Sequence, residues 1–228
     1  MNERYSPLRA ARASGATIVL DAPAHRVLRN TYMLLSLTLA FAAVSAGVTA
    51  ALGLPHPGIL ITLIGYFGLL FLVTKNRDRG LGVLFMFALT GFMGYTLGPI
   101  IGHYLNMPNG AQTVMLAMGG TAAIFMGLSA YALVSKRDFS FMGGFLTVGI
   151  LVAFLAGLAA IFFSIPALSL TVSAVFVLLM SGLILYETSN IVRGGETNYV
   201  MATLTLFVSI FNLFTSLLHL LGFASSNE

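Results

Sequence analysis

Seven stretches of this chain are too long and too apolar for the surface of a water-facing domain: 30–52, 58–74, 81–101, 112–134, 141–163, 168–191 and 199–222. A helix crossing roughly 30 Å of hydrocarbon needs about 20 apolar residues at ~1.5 Å each. The second run is the shortest of the seven. The breaks between them carry turn-forming sequences: GLPHPG, KNRDRG, HYLNMPNG, SKRDF, SIP and RGGETN. None of these loops could hold a domain, so the folded mass lies in the bilayer. Only 8% of residues are charged, against roughly 25% in a soluble domain. The expected fold is all-α, a polytopic bundle of seven transmembrane helices. It divides into a flexible tail over 1–27, the bundle over 28–222 and a short tail over 223–228.

The basic residues set the orientation. Arg4, Arg9, Arg12, Arg26 and Arg29 precede the first span; Lys75, Arg77 and Arg79 follow the second, Lys136 and Arg137 the fourth, and Arg193 the sixth. Those positions account for all eleven, and the alternate loops carry none. Short loops rich in Lys and Arg stay cytoplasmic, so the N-terminus is expected inside and the C-terminus on the periplasmic side. An odd number of spans requires that arrangement. The net charge of +4 therefore follows from membrane topology, and no nucleic-acid partner is expected. The first run exceeds the usual signal-peptide core and follows a long tail, so no cleavage is expected there. The tail is poor in large apolar residues and cannot bury enough surface to fold alone.

Several chemistries are disfavoured by what the chain lacks. It has no cysteine, its four histidines show no metal-ligand spacing, and no metal or cofactor is expected. GxSxG, HExxH, Walker and GxGxxG signatures are missing. The spans hold no Asp for a paired-aspartate protease, and both lysines lie in loops, leaving none for a retinal Schiff base. An enzyme is not expected.

Polar residues inside the spans are more informative. Thr205, Ser209, Asn212, Ser216 and His219 follow one another at steps of four, three, four and three. At 100° per residue they form one stripe along the last span, and Asn198 falls on the same line. Such a stripe should face the bundle interior. It admits two readings: interhelical hydrogen bonding, or a water-lined path. On the sixth span, Glu187 shares a face with Asn190, Ser173 and Ser169.

Glu187 is the only acidic residue within the apolar runs. It precedes Arg193 by six residues, about 9 Å along the axis. An ionised carboxylate at mid-helix costs about 2.5–3.5 kcal/mol. Protonating a reference carboxyl at pH 7 costs about 3.7 kcal/mol. Neither state wins without a partner. Two readings follow: a proton or cation site, or a carboxyl that ties helices together through Asn212, Ser209 or Arg193. Glycines Gly91, Gly94, Gly98, Gly119, Gly120 and Gly127 recur in the third and fourth spans, where small residues let helix backbones approach in lipid. Pro99 should bend the third span or free a carbonyl nearby.

Three stretches carry a family resemblance: FALTGFMGYTLGPII, GGTAAIFMGLSAYALVSKRDFSFMGG and SGLILYETSNIVRGGETNYVMATLTLFVSIFNLF. Together they resemble the Bax inhibitor-like (TMBIM) family, in particular its bacterial YccA branch, over residues 25 to 226. The resemblance implies a last helix surrounded by the other six. It also implies a calcium leak gated by pH through two acidic residues, with calcium as the permeant ion. The first of those positions is Glu187; the second is Ser209, three residues before Asn212 in Asn212-Leu213-Phe214. Two facing carboxylates can share a proton and switch; a Glu–Ser pair has one charge fewer and offers only a hydrogen bond. The branch further implies a partner, the membrane-anchored AAA protease FtsH, whose activity it modulates. A flexible tail bearing Arg4, Arg9 and Arg12 is the segment such a protease would engage.

Overall fold

The computed structural model describes residues 22–135 and 137–225. It contains seven α-helices and no strand among those residues: α1 (Ala22–Ala51), α2 (Ile59–Lys75), α3 (Gly80–Leu105), α4 (Gly110–Ser135), α5 (Met142–Phe162), α6 (Pro166–Val192) and α7 (Tyr199–Ser225). Helices are the outcome lipid demands, because each backbone N–H and C=O must find its partner within the same segment. Six helices are long and apolar enough to cross a membrane, and α2, at 17 residues, is the shorter exception to the seven expected. At ~1.5 Å per residue it reaches only about 26 Å.

Most boundaries fall within two residues of the sequence reading, and three differ by more. Residues 22–27, assigned to the flexible tail, are the first turns of α1. Pro23 lies in that first turn, where its missing N–H costs nothing. Helix α3 continues past 101 to Leu105, and α7 continues past 222 to Ser225. Polar residues at a membrane interface mark the end of the hydrocarbon and not the end of the helix, so hydropathy trims both too early. The rest of the first tail, with Arg4, Arg9 and Arg12, and residues 226–228 of the last lie outside the described residues.

Helix α7 is the most buried helix and supplies Phe207, Leu213 and Leu218 to three separate packed clusters. It packs on α1, α3, α4 and α6. Helices α2 and α5 lie further out, against α3 and α6 respectively, and touch each other through Phe67 and Phe154. The central position of the last helix is as expected, but its surround is built mainly from four helices and not six. Lipid tails are as apolar as leucine, so these contacts are held by close packing more than by the hydrophobic effect.

The tightest seam joins α1 and α3. A Cβ at Gly94 would fall on the carbonyl oxygen of Ala42, and one at Gly98 on the hydroxyl of Thr49. Ser45 Oγ spans the same seam, donating to the Gly91 carbonyl at 2.8 Å. Helix α3 runs unbroken through Pro99, whose missing N–H leaves the Tyr95 carbonyl without a helical donor. The fourth-span glycines behave differently: Gly119 and Gly127 have open space where a Cβ would go. Gly94→Ala is expected to lower stability by about 1–3 kcal/mol through overpacking, whereas Gly119→Ala leaves it unchanged or slightly raised. Thermal unfolding of both variants in detergent checks this contrast.

Candidate functional site

The central helix disposes of its polar groups mostly within itself. Ser209 is fully buried, and its Oγ donates to the Thr205 carbonyl at 2.7 Å. Asn212 Nδ2 donates to the Val208 carbonyl at 2.8 Å. These bonds run back one turn along the same helix, the geometry by which Ser, Thr and Asn hide a donor in an apolar setting. Thr205 and Asn212 are half-buried and Ser216 is buried. The five stripe residues do share one helix face. Among the described residues no hydrogen bond links one stripe side chain to another.

At the far end of the stripe, His219 Nδ1 meets Ser173 Oγ of α6 at 2.8 Å. The spacing of Ser173 suggested a common face with Glu187, yet the two are 14 positions apart, about 21 Å along the helix. Ser173 also donates to the Ser169 carbonyl at 3.0 Å. With its one proton used there, the hydroxyl accepts from Nδ1–H of His219. The contact ties α6 to α7. Periodicity alone could not reveal this pair, because its members lie on different helices.

Glu187 is 5% exposed, beneath the end of α6, between the fully buried Ile184 and Ile191. None of the tying bonds weighed for it forms. Arg193 pairs with Asp138 at 2.6 Å, Ser209 and Asn212 turn to their own backbone, and Glu187 Oε1 has no hydrogen-bond partner. It has company. Thr31 Oγ1 and Tyr32 OH on α1 and Ser135 Oγ on α4 are likewise buried without a partner. All four atoms lie in the half of the bundle where α1 begins and α4 and α6 end. Ser129 and Thr188, 3.4 Å apart, add a weak α4–α6 contact in the same half. Among the described residues, the buried side-chain atoms without a partner thus all lie in the half of the bundle that holds Glu187. Thr31, Tyr32 and Ser135 were invisible to sequence reasoning; each is an ordinary interface residue until packing buries it.

Above this region, the end of α6 and the turn into α7 fasten two other loops, so that three loops are tied together. Gly194 adopts φ of 75°, the left-handed conformation that ends a helix, and the N–H of Gly195 closes onto the Asn190 carbonyl at 2.9 Å. Asn190 therefore serves the end of α6. Asn198 is the cap of α7: its Oδ1 accepts from Val200 and Met201 N–H at 3.0 and 3.1 Å. Its Nδ2 reaches Asp78 Oδ1 at 2.8 Å, in the loop after α2. Ser189 Oγ donates to the Arg137 carbonyl at 2.8 Å, in the loop after α4. Hydrogen bonds from Ser140 and the Arg193 guanidinium hold the exposed Asp138 carboxyl down at about 2.

A central helix inside other membrane-length helices, with one lone carboxyl buried beneath a tied loop cluster, defines a polytopic helical membrane protein. The family profile described as "Inhibitor of apoptosis-promoting Bax1" matches residues 24–227. The chain is 53% identical to "Modulator of FtsH protease YccA" of Escherichia coli K12, over 88% of this chain and 91% of that one. The counterpart in Escherichia coli O6:H1, with the same identity and coverage, is named as an inner membrane protein. An uncharacterised Pseudomonas aeruginosa protein is 52% identical over 89% of this chain and 91% of its own. The chain belongs to the Bax inhibitor family.

The Asp138 value carries a pH dependence with a definite sign. A carboxyl held below its ordinary value lends its tie to the fold above about pH 4 and loses it as pH falls toward 2. In Arg193→Gln, the Asp138 carboxyl is expected to titrate closer to its ordinary value than in the parent. Carboxyl NMR titration in micelles checks this; identical titration curves in both proteins would contradict the pairing.

Proposed function

We propose that this protein is an inner-membrane partner of the AAA protease FtsH and moderates that protease's activity. The observation that carries the reading is the 53% identity, spanning nearly the whole of both chains, to the Escherichia coli protein named as a modulator of FtsH protease. The basic residues on alternate loops support a cytoplasmic N-terminus and a periplasmic C-terminus. In that orientation the segment carrying Arg4, Arg9 and Arg12 is presented on the cytoplasmic side, as are the three fastened loops. The protein acts here as a binding partner, without chemistry of its own. Co-purification from detergent, with the full chain and with a chain lacking residues 1–24, tests it. FtsH is expected with the full chain and depleted with the shortened one; its absence from both rejects the reading.

A second reading is favoured by one specific observation, the buried Glu187 carboxyl with an unpartnered oxygen. It is a proton or cation path that begins at Glu187 and continues along α7 past Ser209 and Asn212, with calcium as a permeant ion. Thr205, Ser216 and His219 would extend it. The inward bonds of Ser209 and Asn212 mean that such a path must borrow oxygens already in use, so flux should be slow. In proteoliposomes loaded with a calcium dye, Glu187→Gln is expected to change the leak by about tenfold, the worth of one charge-assisted contact. Equally tight vesicles for both forms would remove transport.

A further inference from the structure

Where α1 begins and α6 ends, a cavity of about 440 Å³ opens between the two helices. Its wall includes Arg26 and Val27 of α1, Val192 at the end of α6, and Arg193, Glu196 and Thr197 of the following turn. The site lies at the helix ends, the depth at which lipid headgroups sit. Its charges are of both signs. Arg26 is exposed. Arg193 spends one guanidinium nitrogen on Asp138, with further N–H donors to offer. Glu196 Oε1 accepts the Asn198 N–H at 2.7 Å, leaving its second oxygen for another donor. Val27 and Val192 supply an apolar portion of the wall.

We propose that this cavity binds the headgroup of a zwitterionic phospholipid carrying a primary ammonium, of the phosphatidylethanolamine type. The phosphate lies with Arg26 and Arg193, which match its oxygens in geometry and charge. The ammonium donates to Glu196. A purely anionic headgroup would leave Glu196 facing negative charge, and a trimethylated ammonium has no N–H to give it. Charge complementarity in two places therefore selects the headgroup. Binding at this spot would brace α1 against the α6–α7 turn, directly above the half of the bundle that holds Glu187.

The test is lipid retention by the full-length protein from nanodiscs with equal phosphatidylethanolamine, phosphatidylcholine and phosphatidylglycerol, read by native mass spectrometry. The parent is expected to retain phosphatidylethanolamine about tenfold over phosphatidylcholine. Glu196→Gln should abolish that preference, and Arg26→Gln should weaken retention of every phospholipid. Arg29→Gln, a basic change on the same helix outside the cavity, should leave the pattern as in the parent. Equal retention of the three lipids, or an Arg29→Gln effect as large as that of Arg26→Gln, overturns the proposal. Soluble glycerophosphoethanolamine forms a separate arm: if it displaces the lipid at micromolar concentration, the site serves a free headgroup and the assignment to membrane lipid fails.

Discussion

A helix enclosed by other helices inside a bilayer has no water to which it can send a polar side chain. That constraint shapes α7 and, through it, the whole bundle. Its serine and asparagine turn their donors back onto carbonyls one turn earlier. The face they occupy can then pack as closely as an apolar one. Phe207, Leu213 and Leu218 fill the space between the neighbouring helices. Where a side chain cannot fold back in this way, as at Glu187, an unsatisfied oxygen remains. The bundle is therefore quiet along its axis and polar at one level.

The fold was legible in the sequence because membrane insertion reduces the problem to counting. Run lengths gave the helices, but the polar spacing did not mark the innermost face of α7: Thr205, Asn212 and His219 are half-buried, whereas Leu206, Phe207 and Leu213 are wholly buried. What spacing could not show was pairing between helices. Ser173 and Glu187 share a face by arithmetic, yet one bonds His219 and the other keeps a buried oxygen without a partner. Helix ends were also misjudged, at 22–27 and 223–225, because hydropathy falls off before hydrogen bonding does. Glycine was a poor guide on its own. The same residue type seats α3 on α1 at Gly94 and Gly98 but leaves open space at Gly119.

The departure at Ser209 gains meaning from the geometry. No hydrogen bond joins Ser209 to Glu187. The hydroxyl instead closes on Thr205, which a serine can do and an ionised carboxylate cannot. Glu187 is thereby left as a single buried acid with no basic group bonded to it. The ion pair that does form nearby, Arg193 with Asp138, belongs to the loops. Local charge is spent on fastening the loops, and the buried acid is left outside that network.

The seam between α1 and α3 has a mechanical consequence. Its contacts at Gly91, Gly94 and Gly98 lie along one line, parallel to the helix axes. A pull on the start of α1 along its axis acts along that same line. It loads those contacts together, in shear, instead of opening them one after another like a zipper. An axial pull on α1 is therefore shared among all three close approaches.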